Sequence, residues 1–379
     1  MSKQTAGIYV HIPFCKVKCI YCDFYSITEQ EHQREHFTNM LCKEIELYSK
    51  QHQFDFNIDT IFIGGGTPSI LTPFQLNKIL ETLNKVYKLE SNCEITLEAN
   101  PGEAPLIKLK SFKSSGINRL SLGFQSLQPE LLKFLTRIHT RDQAIETYNN
   151  ARNIGFENIN IDMIFSIPNQ TQKMLESDLQ TIIKLAPNHI SAYSLTVESG
   201  TKLNRMVKKN ITIMPKDDDD LNMLLFVRKF LSTHNFTPYE ISNFAAAGNE
   251  CKHNIHYWKS DPYLAFGPSA HGFNGNQRWW NVRSLDEYLK RLEKNKSPIN
   301  QSELTSNSMR FNEILLNGLR LKNGISVNKL KSINSKYKLE LNHGLTKWRD
   351  KIILNEKSLY LTDKGIPFLD SILLDLFID

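Results

Sequence analysis

The chain is 379 residues long, room for one large domain and a smaller one, each able to bury a proper core. At 40% hydrophobic and 23% charged residues it is an ordinary folding sequence, which excludes wholesale disorder. The net charge of +6 is a thin bias with no basic block, so it permits an anionic ligand and speaks against a nucleic-acid-binding module.

The first residues, Met1-Ser2-Lys3-Gln4-Thr5-Ala6-Gly7, run into Ile8-Tyr9-Val10 without the charged-then-apolar pattern of a signal peptide, and a cytoplasmic protein is expected. Short β-branched runs then recur at Gly7–Ile12, Ile58–Ile63, Glu94–Glu98, Asn118–Gly123, Glu157–Ile164 and His189–Leu195. Amphipathic helices are predicted between them, for example over Glu31–Lys50, Pro73–Tyr87 and Arg141–Ile154. Strand and helix alternating six times predicts an α/β fold with a parallel sheet of βαβ units, either an open doubly wound sheet or an incomplete barrel. Both architectures collect ligands just beyond the carboxyl ends of their strands.

The alternation stops near residue 200. A helix predicted over Asp217–Ser232 opens on four aspartates, Asp217–Asp220, whose charge suits a helix N-terminus. An irregular, aromatic-rich run follows from Phe236 to Trp280. Helices are then predicted over Ser302–Leu321 and Ser326–Tyr337, followed by the strand-like Leu359-Tyr360-Leu361 and a last helix. The expected division is 1–235, 236–300 and 301–379, the last a smaller, mainly helical domain resembling a winged helix. The apolar stretch Ile372–Ile378 is too short to span a membrane and is interrupted by Asp375, so no transmembrane segment is expected.

Six cysteines in so long a chain are too few for a disulfide scaffold. Three of them crowd into Cys15-Lys-Val-Lys-Cys19-Ile-Tyr-Cys22, just after the first strand. Three thiolates on one loop can ligate three irons of a [4Fe–4S] cluster, leaving the fourth iron open to another molecule. A zinc site would want a fourth protein ligand, and none sits at suitable spacing. Gly64-Gly65-Gly66-Thr67-Pro68 follows the second strand, where glycines let backbone N–H groups approach a carboxylate or ribose closely. Glu98 ends the third strand, Gln125 follows the fourth and Asp162 lies near the end of the fifth, so these polar groups converge on one mouth.

The C-x3-C-x2-C loop resembles that of the radical S-adenosylmethionine (SAM) superfamily. Its flanks, Tyr9-Val-His11-Ile-Pro13-Phe14-Cys15 and Tyr21-Cys22-Asp23-Phe24, are similar to the group that holds the oxygen-independent coproporphyrinogen III oxidases and the HemW-type heme chaperones. The resemblance runs from about Gly7 into the 270s and more loosely to the C-terminus. It implies an incomplete parallel (β/α)6 barrel, SAM chelated to the open iron, and an electron donor for the cluster. In the enzymes of the superfamily the reduced cluster cleaves SAM to methionine and a 5′-deoxyadenosyl radical. It further implies that Tyr9, Tyr21, Gly65, Gly66, Thr67, Glu98, Gln125, Arg137 and Asp162 contact SAM; for Arg137 the resemblance is the sole ground.

A second motif separates the relatives. His253-Asn254-Ile255-His256-Tyr257-Trp258 resembles the H-N-x-x-Y-W signature of the HemW-type proteins. It implies a bound heme, with His253 as axial ligand and neighbouring rings stacked on the porphyrin. His256 and Cys251 stay open as competing ligands, and His271, in Gly267-Pro-Ser-Ala-His271, adds a histidine to the same mouth. The oxidase pattern keeps a fourth cysteine two residues after Cys22, where this chain has Phe24, and an N-terminal extension where only fourteen residues precede Cys15. The expected function is heme carriage to acceptor apo-proteins. The alternatives are the oxidase and another radical SAM reaction such as methyl transfer.

Overall fold

The computed structural model of the protein describes residues 4–52 and 56–378. Met1–Lys3, the start of the stretch read for a signal peptide, lie outside them. Six strands appear where the β-branched runs predict them: β1 (Thr5–Ile12), β2 (Asn57–Gly65), β3 (Leu89–Ala99), β4 (Arg119–Gln125), β5 (Asn158–Phe165) and β6 (His189–Ser194). All pair in parallel with their sequence neighbours. Their near-continuous apolar runs, such as Ile8, Val10, Ile61 and Ile63, are fully buried because helices cover one face and side chains fill the other. The helices are started by local chemistry. Thr72 and Thr140 close reciprocal capping boxes with Gln75 and Gln143 at the starts of Pro73–Val86 and Arg141–Asn153.

The order β1 to β6 without reversal is that of a barrel wound in one sense, as the (β/α)6 expectation requires. The sheet is larger than expected. The run from Phe236 to Trp280 is not irregular but supplies β7 (Thr237–Pro238), β8 (Asn243–Ala245), β9 (Tyr263–Phe266), β10 (His271–Phe273) and β11 (Gln277–Asn281), with β12 at Ile299–Leu304. These extend both edges into a 12-stranded sheet, β12-β11-β10-β9-β1-β2-β3-β4-β5-β6-β8-β7. Strands of two to five residues are too short for alternation to register in sequence. The predicted helix Ser302–Leu321 begins instead at Asn307, because Gln301 and Ser302 pair with Trp280 and Trp279. The one from Ser326 ends at Ile333, and a further helix occupies Tyr337–Lys347.

The last part has its own core of Phe311, Leu315, Leu330, Leu341, Leu359 and Ile372. Its order runs helix Asn307–Gly318, β13 (Ile325–Ser326), helices Val327–Ile333 and Tyr337–Lys347, then β14 (Ile352–Leu354) and β15 (Ser358–Leu361). That succession, with β15 between β13 and β14, is the winged-helix arrangement. Among the described residues no helix is long and apolar enough to cross a membrane. The aspartate run does open the helix Asp217–Thr233, and Asp220 does more than offset the dipole: it accepts hydrogen bonds from Ser166 and Ser194, tying down the ends of β5 and β6.

Candidate functional site

The cysteine loop is pinned at both ends. Phe14 and Ile27 form a bridge, with Cys15 N–H donating to Ile27 O at 2.9 Å and Ile27 N–H to Pro13 O at 2.7 Å. Ile20, between the second and third cysteines, is 3% exposed and packs into a small cluster with Leu131, Leu135, Ile167, Leu195 and Leu203. Its backbone N–H reaches Thr136 Oγ1 at 3.2 Å and its carbonyl accepts from Leu203 N–H at 2.8 Å. An apolar plug thereby turns Cys15, Cys19 and Cys22 toward the C-terminal ends of the strands.

There they line a cavity of about 630 Å³ together with Tyr21, Gly65, Gly66, Thr67, Glu98, Gln125, Arg137 and Asp162. Eleven of the thirteen expected site residues, counting the cysteines, thus share one cavity; Tyr9 and His253 lie elsewhere. Burial raises the Cys15 thiol, and burial with the two neighbouring sulfurs pushes Cys22 up to about 11. Thr67 Oγ1 donates to Cys15 Sγ at 3.5 Å and Arg137 Nη1 to Cys19 Sγ at 3.6 Å, donors that favour thiolates. Among the described residues no three His, Cys, Asp or Glu side chains converge on a single ion. Sulfurs that each bind a different iron of a cluster need no such convergence. Cys15, Cys19 and Cys22 therefore fit a cluster as donors, and Gly66 leaves room beside it, since a Cβ there would meet Phe14 O at 2.6 Å and Cys15 Sγ at 3.0 Å.

The glycine loop forms a cradle. Gly65 adopts φ +111°, a conformation that side chains resist, and donates its N–H to Glu98 Oε2 at 3.1 Å. Burial and then the charge of Asp162 raise the Glu98 carboxyl to about 8, so it is protonated at neutral pH. Asp162 accepts from Ser121 Oγ at 3.0 Å and Asn160 Nδ2 at 2.7 Å. Gln125 holds φ +64° at a register slip between β4 and β5, local strain of the kind found at binding sites. Arg137 reaches Gly123 O at 2.8 Å and Asn100 Oδ1 at 2.5 Å, while its buried Nε has no partner. That orphaned donor suits an anionic ligand. Asn100, which the sequence reading passed over, also donates to Thr67 Oγ1 at 3.0 Å and so joins the cradle to the arginine. Its place just past the end of β3 was the available signal.

Tyr9 and His253 line a second cavity of about 550 Å³, with His11, Tyr25, Phe62, Tyr257, Tyr263, His271 and Arg283. Asp23, Phe24, Gly65 and Glu98 border both cavities. The H-N-x-x-Y-W segment is the helix Lys252–Lys259, packed behind β1 and β2. His253 is 1% exposed and held at both nitrogens, Nδ1 with Thr60 Oγ1 at 2.8 Å and Nε2 with Tyr257 OH at 3.2 Å. Burial, with the charge of His256, lowers it to about 3. Neither His256 nor Cys251 lines either cavity. Burial opposes charge on His256, but Asp261 and Asp59 override it and lift the imidazole to about 9. Cys251 Sγ donates to Glu94 Oε1 at 3.6 Å.

The sequence pattern of the radical SAM superfamily matches residues 9–182. The heme chaperone HemW of Bacillus subtilis (strain 168) is 38% identical over 320 residues, 84% of each chain. That of Lactococcus lactis subsp. lactis (strain IL1403) is 33% identical over 369 residues, 96% of this chain and 95% of the relative. Among solved structures, the coproporphyrinogen III oxidase HemN from Escherichia coli, described as a radical SAM enzyme, matches with a TM-score of 0.87 at 21% identity, covering 99% of this chain and 90% of that one. At that identity the likeness concerns the fold. The chain belongs to the radical SAM superfamily and, within it, to the family of the HemW heme chaperones.

Proposed function

We propose that the protein is a heme chaperone: it holds a [4Fe–4S] cluster and SAM in the first cavity, binds heme in the second, and passes heme to acceptor apo-proteins. The observation that carries this is the shared wall. Glu98, Gly65, Asp23 and Phe24 border both cavities, so the state of one can bias the other. Relatives at 38%, 33% and 31% identity are named heme chaperones, which supports the same reading. Phe24 stands where the oxidase pattern keeps a fourth cysteine, and is 64% exposed on the rim between the cavities.

Each residue has a task. Cys15, Cys19 and Cys22 hold the cluster, which when bound supplies single electrons and an iron open to SAM. Gly65, Gly66 and Thr67 present backbone and hydroxyl donors, Arg137 offers a cation, and Glu98, Gln125 and Asp162 take the polar groups of the nucleoside; Tyr21 closes the side next to the cysteines. Tyr9, Phe62, Tyr257 and Tyr263 give the second cavity aromatic walls suited to a porphyrin. His253 lies on its floor and ligates iron if it gives up Thr60 or Tyr257. Residues 1–235 form the radical SAM core, 236–300 the extension that completes the second cavity, and 301–379 a third unit. A reducing electron donor and a cytoplasmic setting follow from the cluster and from six unpaired cysteines.

The test is anaerobic reconstitution followed by titration of ferric heme with and without SAM, transfer to an apo-hemoprotein, and product analysis. Saturable heme binding and transfer are expected. Protoporphyrinogen IX formed from coproporphyrinogen III under turnover would return the protein to the oxidases.

A further inference from the structure

Three histidines border the second cavity, and their surroundings differ. A heme iron needs an imidazole nitrogen whose lone pair is free. His11 is 4% exposed, with Nε2 against Tyr25 O at 2.8 Å and Nδ1 against Tyr9 OH at 3.0 Å. His253 is committed at both nitrogens to Thr60 and Tyr257. Either ring would have to leave a buried partner unsatisfied before it could ligate.

His271 is different. Its ring is exposed at the cavity edge and, among the described residues, makes no hydrogen bond or ion pair; its one contact of note is a stack on Trp280, centroids 5.9 Å apart and planes 21° apart. The backbone that carries it is fixed. Gly267 takes φ +100° and Ser269 φ +62°, and Gly267 N–H donates to the buried Glu44 Oε2 at 2.8 Å. Asn281 Nδ2 bridges Glu44 Oε1 at 2.6 Å and Gly267 O at 2.8 Å, and Tyr288 OH donates to Glu44 Oε2 at 2.5 Å. A buried carboxylate thus organises the turn, and β10 pairs His271 with Trp280 of β11. Partial burial and then the charge of Arg278 lower the imidazole's pKa, a direction that favours the neutral ring. Arg283 lies on the same rim, 5.9 Å over the Tyr25 ring and without an ion pair among the described residues, free to meet a carboxylate.

We propose that His271 is the axial ligand to heme iron in the second cavity, that Arg283 pairs with a heme propionate, and that His253 positions Tyr257 in the wall. This rests on the heme reading above and assigns its ligand. The reason is geometric: His271 is the one histidine of the three that is presented free, on an anchored turn, beside an unpaired arginine.

The test uses the full chain with its cluster reconstituted, titrated with ferric heme and followed by Soret absorbance and electron paramagnetic resonance. His271→Ala should shift the Soret band, change the spin state and weaken heme about 10- to 100-fold, and added imidazole should restore the spectrum. His271→Cys should bring a thiolate signature in its place, which a merely misfolded variant would not. Arg283→Gln should weaken heme without moving the Soret band, and His253→Leu should leave the iron's ligand field as in the parent. Circular dichroism and the cluster absorbance monitor folding in each case. A parent-like spectrum in both His271 variants, or a ligand-field change confined to His253→Leu, would overturn the assignment while leaving heme binding intact. Absence of saturable heme binding in the parent would overturn the heme reading and this assignment with it.

Discussion

Replacing Glu98 by glutamine removes a carboxyl group that the fold holds away from water. Burial and the Asp162 charge keep its proton on up to about pH 8, against the usual 4.5, with the Gly65 N–H only partly offsetting them. In the unfolded chain the same group ionises near 4.5. Between those values the folded protein therefore holds one proton more than the unfolded, and its stability falls as pH rises; above about 8 both states are ionised and the loss is complete. One proton across the interval from pH 6 to pH 8, at about 1.36 kcal/mol per pH unit, costs the parent about 3 kcal/mol. Glu98→Gln keeps the shape and lacks the titration. Its stability relative to the parent should rise by that amount between pH 6 and pH 9, measured by anaerobic urea unfolding without SAM. Titrating groups that do not interact with Glu98 are common to both proteins and cancel in the difference. A stability difference that is the same at both pH values would refute the desolvation of this carboxyl. The substitution should also weaken SAM in calorimetric titration, and unchanged affinity would assign Glu98 to the scaffold.

Alanine at Cys15, Cys19 and Cys22 together should abolish the broad absorbance near ~400 nm and the bound iron and sulfide; retention of four irons per chain would refute the cluster assignment. Ile20→Ala empties the plug that aims the cysteine loop, and should cost about 2–5 kcal/mol and shorten cluster lifetime in air; an unchanged lifetime would show that the loop holds itself. His256, lifted from 6.5 to about 9 by Asp261 and Asp59, stabilises the fold fully below pH 6.5 and loses that contribution as pH rises through about 9. His256→Gln should therefore be less stable than the parent by up to about 3 kcal/mol at pH 6, with the gap closing by pH 10 in the same unfolding assay.

Much of the fold was legible because its determinants are local. The apolar runs of β1 to β6 and the alternation of strand with helix each need only neighbouring residues. The cysteine loop, Gly65, Gly66, Thr67, Glu98, Gln125 and Asp162 were legible for the same reason. Each sits at or near the carboxyl end of a strand, and parallel strands must deliver their ends to one side. The edge strands β7 to β12 were not. Runs of two to six residues carry no periodicity of their own and become strands only through partners, as Gln301 and Ser302 do against β11.

What the sequence determined by itself is the identity of the groups near the strand ends. Tertiary structure alone decided which of them are free to act. Asn100 joins the site because Arg137 and Thr67 arrive on either side of it. Among the histidines, the sequence put His253 first as an iron ligand, left His256 open as a competitor and added His271 to the same mouth. The fold commits His253 to Thr60 and Tyr257, charges His256 between two aspartates, and leaves His271 open at a cavity edge. The physical reason is that a ring nitrogen is available only where no hydrogen-bond partner has taken it, and partners such as Thr60 and Asp59 come from residues distant in sequence.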